Sequence, residues 1–115
     1  MPLEGDLAKD TRPAFLIQLL LPTRDNDKQP IGEALFSHVR ATLIERFGGV
    51  TAYQRAPAAG AWKRADGSVD GDEVVMVEVE AEVLDRIWWS AYQQQLERDF
   101  KQERVLMRAI HIDTF

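Results

Sequence analysis

An alternating segment in the second half of the chain constrains the fold most. Residues 74–82 read VVMVEVEAE, with a side-chain period of two. That period is typical of a β-strand with one covered face, because successive side chains point to opposite sides of a sheet. One side carries Val75, Val77 and Val79, and the other side carries Met76, Glu78 and Glu80. We therefore predict a sheet that buries one face and leaves the other, here called the open face, uncovered.

Three further segments read as strands. Ala14–Leu21 is a nearly continuous apolar run that Pro22 closes, which favours a strand at the centre of a sheet. Val50–Arg55 is rich in β-branched and aromatic residues, as edge strands often are. Val105–Ile112 is predicted to be the last strand. An Asp66-Gly67 pair predicts a tight turn that folds Trp62 back towards Val69.

Two segments show the spacing of helices. From Pro30, which suits a first helical turn, apolar residues recur every three or four positions up to Phe47, and Gly48 suits the position after a helix end. The second helix is predicted from Leu84 to about Arg104. Its stripe consists of Leu84, Trp88, Tyr92, Leu96 and Phe100, widened by Ile87 and with Trp89 at its margin.

The order strand, helix, strand, strand, helix, strand predicts an α+β protein. Right-handed crossovers in this order give a ferredoxin-like βαββαβ fold, with a four-stranded antiparallel sheet and both helices on one face. The first and third strands should lie at the centre. We expect residues 1–13 to form a flexible arm and residues 14–115 a single domain.

Composition restricts the partners. The chain has 115 residues, a net charge of −5 and no cysteine, so disulfides and thiolate metal sites are excluded. An acidic surface repels nucleic acid and anionic membranes, and no segment resembles a signal peptide or a membrane span. We predict a cytoplasmic protein without cofactor, metal, nucleic-acid or membrane partner.

Short motifs resemble those of one family. Gly49-Val50-Thr51 leads to Ala59-Gly60-Ala61-Trp62 and Asp66-Gly67, and residues 100–106, FKQERVL, enter the last strand. In their order and separation, over residues 14–115, these motifs are similar to those of a family of small bacterial proteins of unknown function, some of them lipoproteins. The chain lacks the signal peptide and acylated cysteine of the lipoprotein members. The resemblance implies a fold but no activity.

The open face holds the main candidate site. If Val77 faces the helices, Glu78 lies beside Gln18 of the first strand and, with suitable parity, Arg108 of the last. Such a row could bind a polar ligand, or Glu78 could act as a general base. The alternative is a structural charge pair beneath a dimer partner. Two further candidate ligand-binding residues are Tyr53, which could join such a pocket, and Trp62, at the rim of the 56–62 loop.

Other patterns are weaker. His38 and His111 lack the spacing of metal ligands, so we expect a core or edge position for both. Residues 66–72 match only the first half of a calcium loop.

Two functional hypotheses remain. The first is a non-enzymatic module that forms homodimers through its open face, using Leu16, Leu20 and Met76. The second is a cofactorless enzyme or small-ligand-binding protein with a pocket on the same face.

Overall fold

The computed structural model describes residues 11–55, 62–63, 69–70 and 74–115, with the backbone alone at 52–55, 62–63 and 69–70. In chain order they form β1 (Arg12–Pro22), α1 (Glu33–Phe47), β2 (Thr51–Arg55), β3 (Trp62–Lys63), β4 (Val69–Asp70), β5 (Val74–Ala81), α2 (Arg86–Asp99) and β6 (Leu106–Thr114). The predicted α+β class is confirmed. The predictions for residues 1–10 of the N-terminal arm, for residues 56–61 of the 56–62 loop, for the Asp66-Gly67 turn and for all of the calcium-like segment except Val69 and Asp70 lie outside the described residues.

The main sheet is antiparallel, with the strand order β2, β5, β1, β6. β1 and β5 lie at its centre, as their apolar sequences predict. Phe15 pairs with Ala81 on one side and with His111 on the other, which fixes the register of the three strands. This order is compatible with the ferredoxin-like layout. Separately, β3 and β4 pair with each other, Trp62 opposite Asp70, so the predicted pairing of these segments is confirmed.

Both helices pack on one face of the sheet. The buried cluster includes Ile17, Leu19 and Leu21 of β1, Val77 and Val79 of β5, Phe36, Val39 and Leu43 of α1, and Trp89, Tyr92 and Leu96 of α2, together with Phe100 and Val105. Burial of one such aliphatic side chain contributes about 1.5–3 kcal/mol to folding. The odd-numbered residues of β1 and β5 therefore face the helices, and Gln18 and Glu78 face away.

Helix α1 begins later than its sequence predicts. Gly32 is its N-cap residue, and Pro30 lies before the helix in a bridge with Arg24 instead of in the first turn. The predicted end is confirmed: Gly48 has φ 84°, and its N–H donates to the carbonyl of Ile44 at 2.7 Å. That left-handed conformation is open to glycine at little cost.

Helix α2 ends at Asp99, well before the predicted end near Arg104. Lys101 has φ 51°, its N–H donates to the Arg98 carbonyl at 3.3 Å, and the N–H of Gln102 donates to the Glu97 carbonyl at 2.9 Å. These bonds are those of a Schellman motif, which stops a helix. Because a lysine occupies the left-handed position, the sequence carries no glycine to mark this end.

The two tryptophans of α2 exchange their predicted roles. Trp89 is buried, with 6% of its surface exposed, whereas Trp88 is only partly buried. At about 100° per residue, Trp89 lies roughly 20° from buried Leu96 around the helix, but Trp88 lies roughly 80° away. Ile87 lies about 180° from Leu96 and is 86% exposed, so it does not widen the apolar stripe.

Membrane insertion of a helix has no support among the described residues. None of the helices there combines the length and the apolar character that crossing a bilayer requires.

Candidate functional site

Three predicted site residues meet on the open face. Strand register places Gln18 opposite Glu78 of β5 and opposite Arg108 of β6. The Gln18 Nε2 donates to Glu78 Oε2 at 2.7 Å, and the Arg108 Nε donates to Gln18 Oε1 at 2.9 Å. We call these three residues the polar row. The last strand therefore has the parity that this row requires, which the sequence left open.

The charged groups on either side of Gln18, the Glu78 carboxylate and the Arg108 guanidinium, determine how its amide is oriented. A carboxylate only accepts hydrogen bonds and a guanidinium only donates them. Gln18 can satisfy both neighbours only by turning its NH₂ towards Glu78 and its oxygen towards Arg108. A neutral amide thus connects an anion to a cation in one polarised chain, and hydrogen bonds with an ionised partner are stronger than neutral ones.

Arg108 is the part of the row that is best suited to hold a ligand. Its side chain is exposed, whereas Gln18 and Glu78 are half-buried. A guanidinium has five N–H donors, and Gln18 occupies the one on Nε. Among the described residues Arg108 has no carboxylate partner in an ion pair. Its two terminal nitrogens can therefore take a carboxylate or phosphate in the bidentate geometry that arginine favours.

Apolar side chains flank the row. Leu106 and Ile110 of β6 are 39% and 41% exposed, and they pair with the half-buried Leu20 and Leu16 of β1. A few polar groups within an apolar surface are typical of small-molecule sites. The expectation for Met76 is wrong: it lies opposite Leu20 on a central strand and has no exposed surface, so it cannot contribute to contacts with a partner.

The structure does not join the other two predicted residues to the row. The backbone of Tyr53 pairs with Met76 in β2, and that of Trp62 pairs with Asp70 in the separate β3–β4 pair. The side chains of both lie outside the described part. Thr51, by contrast, was missed: it is exposed and pairs with Glu78. Only the register of β2, which the sequence does not determine, could have indicated it.

The histidines are not ligands of a described metal site. His38 is exposed, about 100° around α1 from buried Val39, so its assignment to the apolar stripe is wrong. His111 lies on the edge strand β6, as predicted, with its ring centroid 4.6 Å from that of Phe15. Within the described ranges, no cluster of three or more His, Cys, Asp or Glu residues could hold a metal ion.

An aromatic cluster joins the helices on the opposite side of the sheet. Phe47 stacks on Trp89 at 5.1 Å and Trp88 stacks on Tyr92 at 4.9 Å between ring centroids. The Arg46 guanidinium lies 4.2 Å from the Trp88 ring centroid and bonds Asp85 at 3.3 Å. Asp85 also accepts from the Trp88 N–H at 3.0 Å as the N-cap of α2. This cluster holds the end of α1 against the start of α2.

Two buried polar atoms in this cluster make no hydrogen bond within the described part of the chain, Trp89 Nε1 and Tyr92 Oη. Burial, together with the charge of Asp99, raises the pKa of Tyr92 to about 12; the Thr42 side chain, which lies near the phenol without a hydrogen bond of normal geometry, acts in the opposite direction. Tyr92 therefore stays neutral over the physiological pH range, and its position in the core indicates a structural role.

Comparison with solved structures shows that the chain is similar in fold to two of them. No family model and no curated protein matches the chain, so the family resemblance in the sequence stays a prediction. A solved structure described as a phage SAM lyase in complex with S-methyl-5'-thioadenosine is similar, with a TM-score of 0.60, 15% identity and 88% of each chain covered. A phage SAM lyase in the apo state has a TM-score of 0.52 and 18% identity, with 88% of this chain and 81% of that chain covered. At such identities, what this chain shares with the phage SAM lyase structures is the fold.

Proposed function

We propose that this ferredoxin-like chain binds a small polar molecule on its open face, and that the polar row is the centre of the site. The observation that carries the proposal is the hydrogen-bonded chain from Glu78 through Gln18 to Arg108, set among exposed apolar side chains. A structural ion pair needs no intervening amide. A site that orients a ligand does need fixed donors and acceptors on rigid strands.

The ligand carries an anionic group. The terminal nitrogens of Arg108 are the exposed donors of the row, and they match a carboxylate or phosphate. Leu106 and Ile110 supply the apolar surface for the rest of the molecule. The ligand is therefore a small organic acid or zwitterion with an apolar or aromatic body.

The structural neighbours suggest the first compounds to test. A protein of similar fold is described as a SAM lyase, and one of its structures contains S-methyl-5'-thioadenosine. SAM carries a carboxylate, whereas S-methyl-5'-thioadenosine has none. If Arg108 holds a carboxylate, SAM should bind more tightly than S-methyl-5'-thioadenosine, and this difference should depend on Arg108.

Isothermal titration calorimetry with both compounds tests the proposal. We expect SAM to bind, and Arg108→Gln to weaken it about 10-fold or more, because a charge-assisted hydrogen bond is worth about 1.5–3 kcal/mol. Glu80→Gln is the matched control, an exposed glutamate of β5 that faces the same way as Glu78. Binding that Arg108→Gln and Glu80→Gln leave equally unchanged would place the site elsewhere.

Catalysis is tested in the same samples. Chromatography of SAM incubated with the protein shows whether S-methyl-5'-thioadenosine is released. If Glu78 acts as a general base, it removes a proton from the amino-acid chain of SAM while the carbon–sulfur bond breaks, so that S-methyl-5'-thioadenosine leaves with the bonding electrons and an unsaturated amino acid remains. Glu78→Gln should then abolish release while SAM still binds. If the wild-type protein binds SAM and releases nothing, the function is ligand binding alone.

A second candidate function is self-association through the same face. The exposed Leu106 and Ile110 are the specific observation in its favour, because large apolar side chains on an uncovered sheet often mark an interface. Leu16 and Leu20 would add to such a contact. Sedimentation velocity at low micromolar concentration tests it: a monomer that Ile110→Asp leaves unchanged would exclude this candidate.

A further inference from the structure

Strand β6 forms one edge of the main sheet and lacks the usual protection of an edge. In the described part of the chain its one strand neighbour is β1, and it is nine residues long, against about five or six for a typical strand. Natural sheets block an exposed edge with proline, lysine, a bulge or a very short strand. β6 contains no proline or lysine, and its register with β1 is continuous from Leu106 to Thr114. Its outer backbone groups are therefore available to a further strand.

Both faces of β6 are open to solvent as well. All nine of its residues are exposed or half-buried, and the four consecutive residues 108–111 are exposed. Successive side chains of a strand point to opposite faces, so this run leaves both faces uncovered. On the helix side, Ile17 of β1 is 2% exposed, whereas Ala109 opposite it is exposed. The helices thus cover β1 but not the middle of β6.

The sequence of β6 is complementary to a second copy of itself. Consider two copies of β6 that pair antiparallel about a two-fold axis at His111. Ile110 of each copy then lies opposite Ile112 of the partner subunit, a pair of β-branched side chains of the kind that stabilises sheets. Arg108 lies opposite Thr114 of the partner subunit, whose small polar side chain tolerates a guanidinium beside it.

Other registers that keep the open faces on one side fit less well. With the axis at His111, Asp113 lies opposite Ala109 of the partner subunit, so neither charged side chain of β6 faces a like charge. An axis at Ile110 would set Arg108 against Ile112, and one at Ala109 would set it against Ile110. An axis at Ile112 would pair only residues 110–114 instead of 108–114.

We propose that two copies of this chain associate edge to edge through β6, antiparallel about His111, and so form one continuous eight-stranded sheet. The contact supplies roughly six to eight backbone hydrogen bonds. It buries less than about 1,200 Å², so we expect a weak dimer with a dissociation constant of about 10–100 µM. It differs from stacking of the open faces, which it leaves uncovered, and it does not depend on the function proposed for the polar row.

Sedimentation equilibrium of the full-length chain from about 5 to about 500 µM measures the association, and amide hydrogen exchange followed by NMR locates it. In the proposed dimer the amides of β6 that point away from β1, every second one, become hydrogen-bonded. We expect them to become protected as the concentration rises. A chain that stays monomeric over the whole range would overturn the proposal, and so would a dimer in which these amides exchange as fast as in the monomer.

Opposite charges placed at one position test the register. Ala109 is exposed on the side of the sheet that the open face does not use. Ala109→Asp sets a carboxylate opposite Asp113 of the partner subunit, and Ala109→Lys sets an ammonium group there. The contact occurs twice in a symmetric dimer, so we expect the aspartate to weaken association about 5-fold and the lysine to strengthen it by about as much.

The matched control is the same pair of substitutions at Ala91, which is exposed on α2. It measures how the net charge alone affects association, and we expect Ala91→Asp and Ala91→Lys to differ much less than the two variants at Ala109. An equal difference at both positions would refute the contact through β6.

Discussion

Tyr92→Phe is the most informative perturbation of the core. Tyr92 is 6% exposed, and its hydroxyl makes no hydrogen bond of normal geometry with the described residues. An unpaired buried polar group costs about 1–3 kcal/mol. Removing the hydroxyl should therefore stabilise the protein at pH 7 by about 1 kcal/mol. For a chain of this size, that gain raises the thermal midpoint by roughly 4 °C.

The same hydroxyl makes stability depend on alkaline pH. Its pKa is about 12 in the folded protein against a usual value of 10.0, because burial and the Asp99 charge both disfavour the phenolate. Between these values the unfolded chain gives up the proton and the folded chain keeps it, so unfolding becomes easier as the pH rises. The titration of Tyr92 therefore leaves the free energy of unfolding at its full value below pH 10 and lowers it as the pH rises from 10 to 12. Two pKa units correspond to about 2–3 kcal/mol.

Urea unfolding of wild type and Tyr92→Phe, followed by circular dichroism from pH 7 to 12, measures both effects. Subtracting the two free energies of unfolding cancels the titration of lysines and arginines. The advantage of the variant should be about 1 kcal/mol up to pH 9 and about 3–4 kcal/mol at pH 12. Asp99→Asn should reduce the pH-dependent part without abolishing it. A difference that stays constant from pH 9 to 12 would refute the reasoning.

Three further substitutions test the packing, each by urea unfolding at pH 7. Arg46→Ala removes the guanidinium that covers the Trp88 ring, and should cost about 1 kcal/mol, whereas a fully retained stability would show that this contact contributes nothing. Leu43→Ala opens a cavity in the core and should cost about 2–5 kcal/mol, against less than about 1 kcal/mol for its half-exposed neighbour in Ile44→Ala. Gly48→Ala should cost about 1 kcal/mol through its left-handed backbone alone, because no atom lies within 4 Å of the added methyl group.

The arrangement of the sheet could be predicted from the sequence because it depends on strong local patterns. The alternation around Val77 and the apolar run around Leu19 identify the two central strands. Once those strands are paired with one face buried, Gln18 and Glu78 must share the other face. The polar row follows from this periodicity, and pairing with Arg108 required only the correct parity of β6.

The sequence could not predict where each helix begins and ends, or which side of the helix contacts the sheet. The four-residue stripe of α2 drifts around the helix, so the sequence alone does not show that Trp89 and not Trp88 lies nearest the sheet. The end of α2 depends on Lys101, a residue type that seldom adopts the left-handed conformation. The cavity at one end of the sheet, whose lining includes Pro13, Glu82 and Asp113, escapes sequence analysis because three strand termini form it and none of them carries a motif.

The contact between Gln18 and Arg108 has a consequence for how the chain selects its native pairing. The two residues are 90 positions apart, so the pairing of their strands closes a loop that contains most of the chain. A slip of β6 by two residues would keep every side chain on its proper face, so the alternation of the strand alone does not exclude it. Such a slip would, however, set the guanidinium against Leu16 or Leu20 and leave the amide oxygen without its donor. This polar contact thus opposes the nearest alternative closures of the two chain ends, together with the burial of Val105 directly before β6.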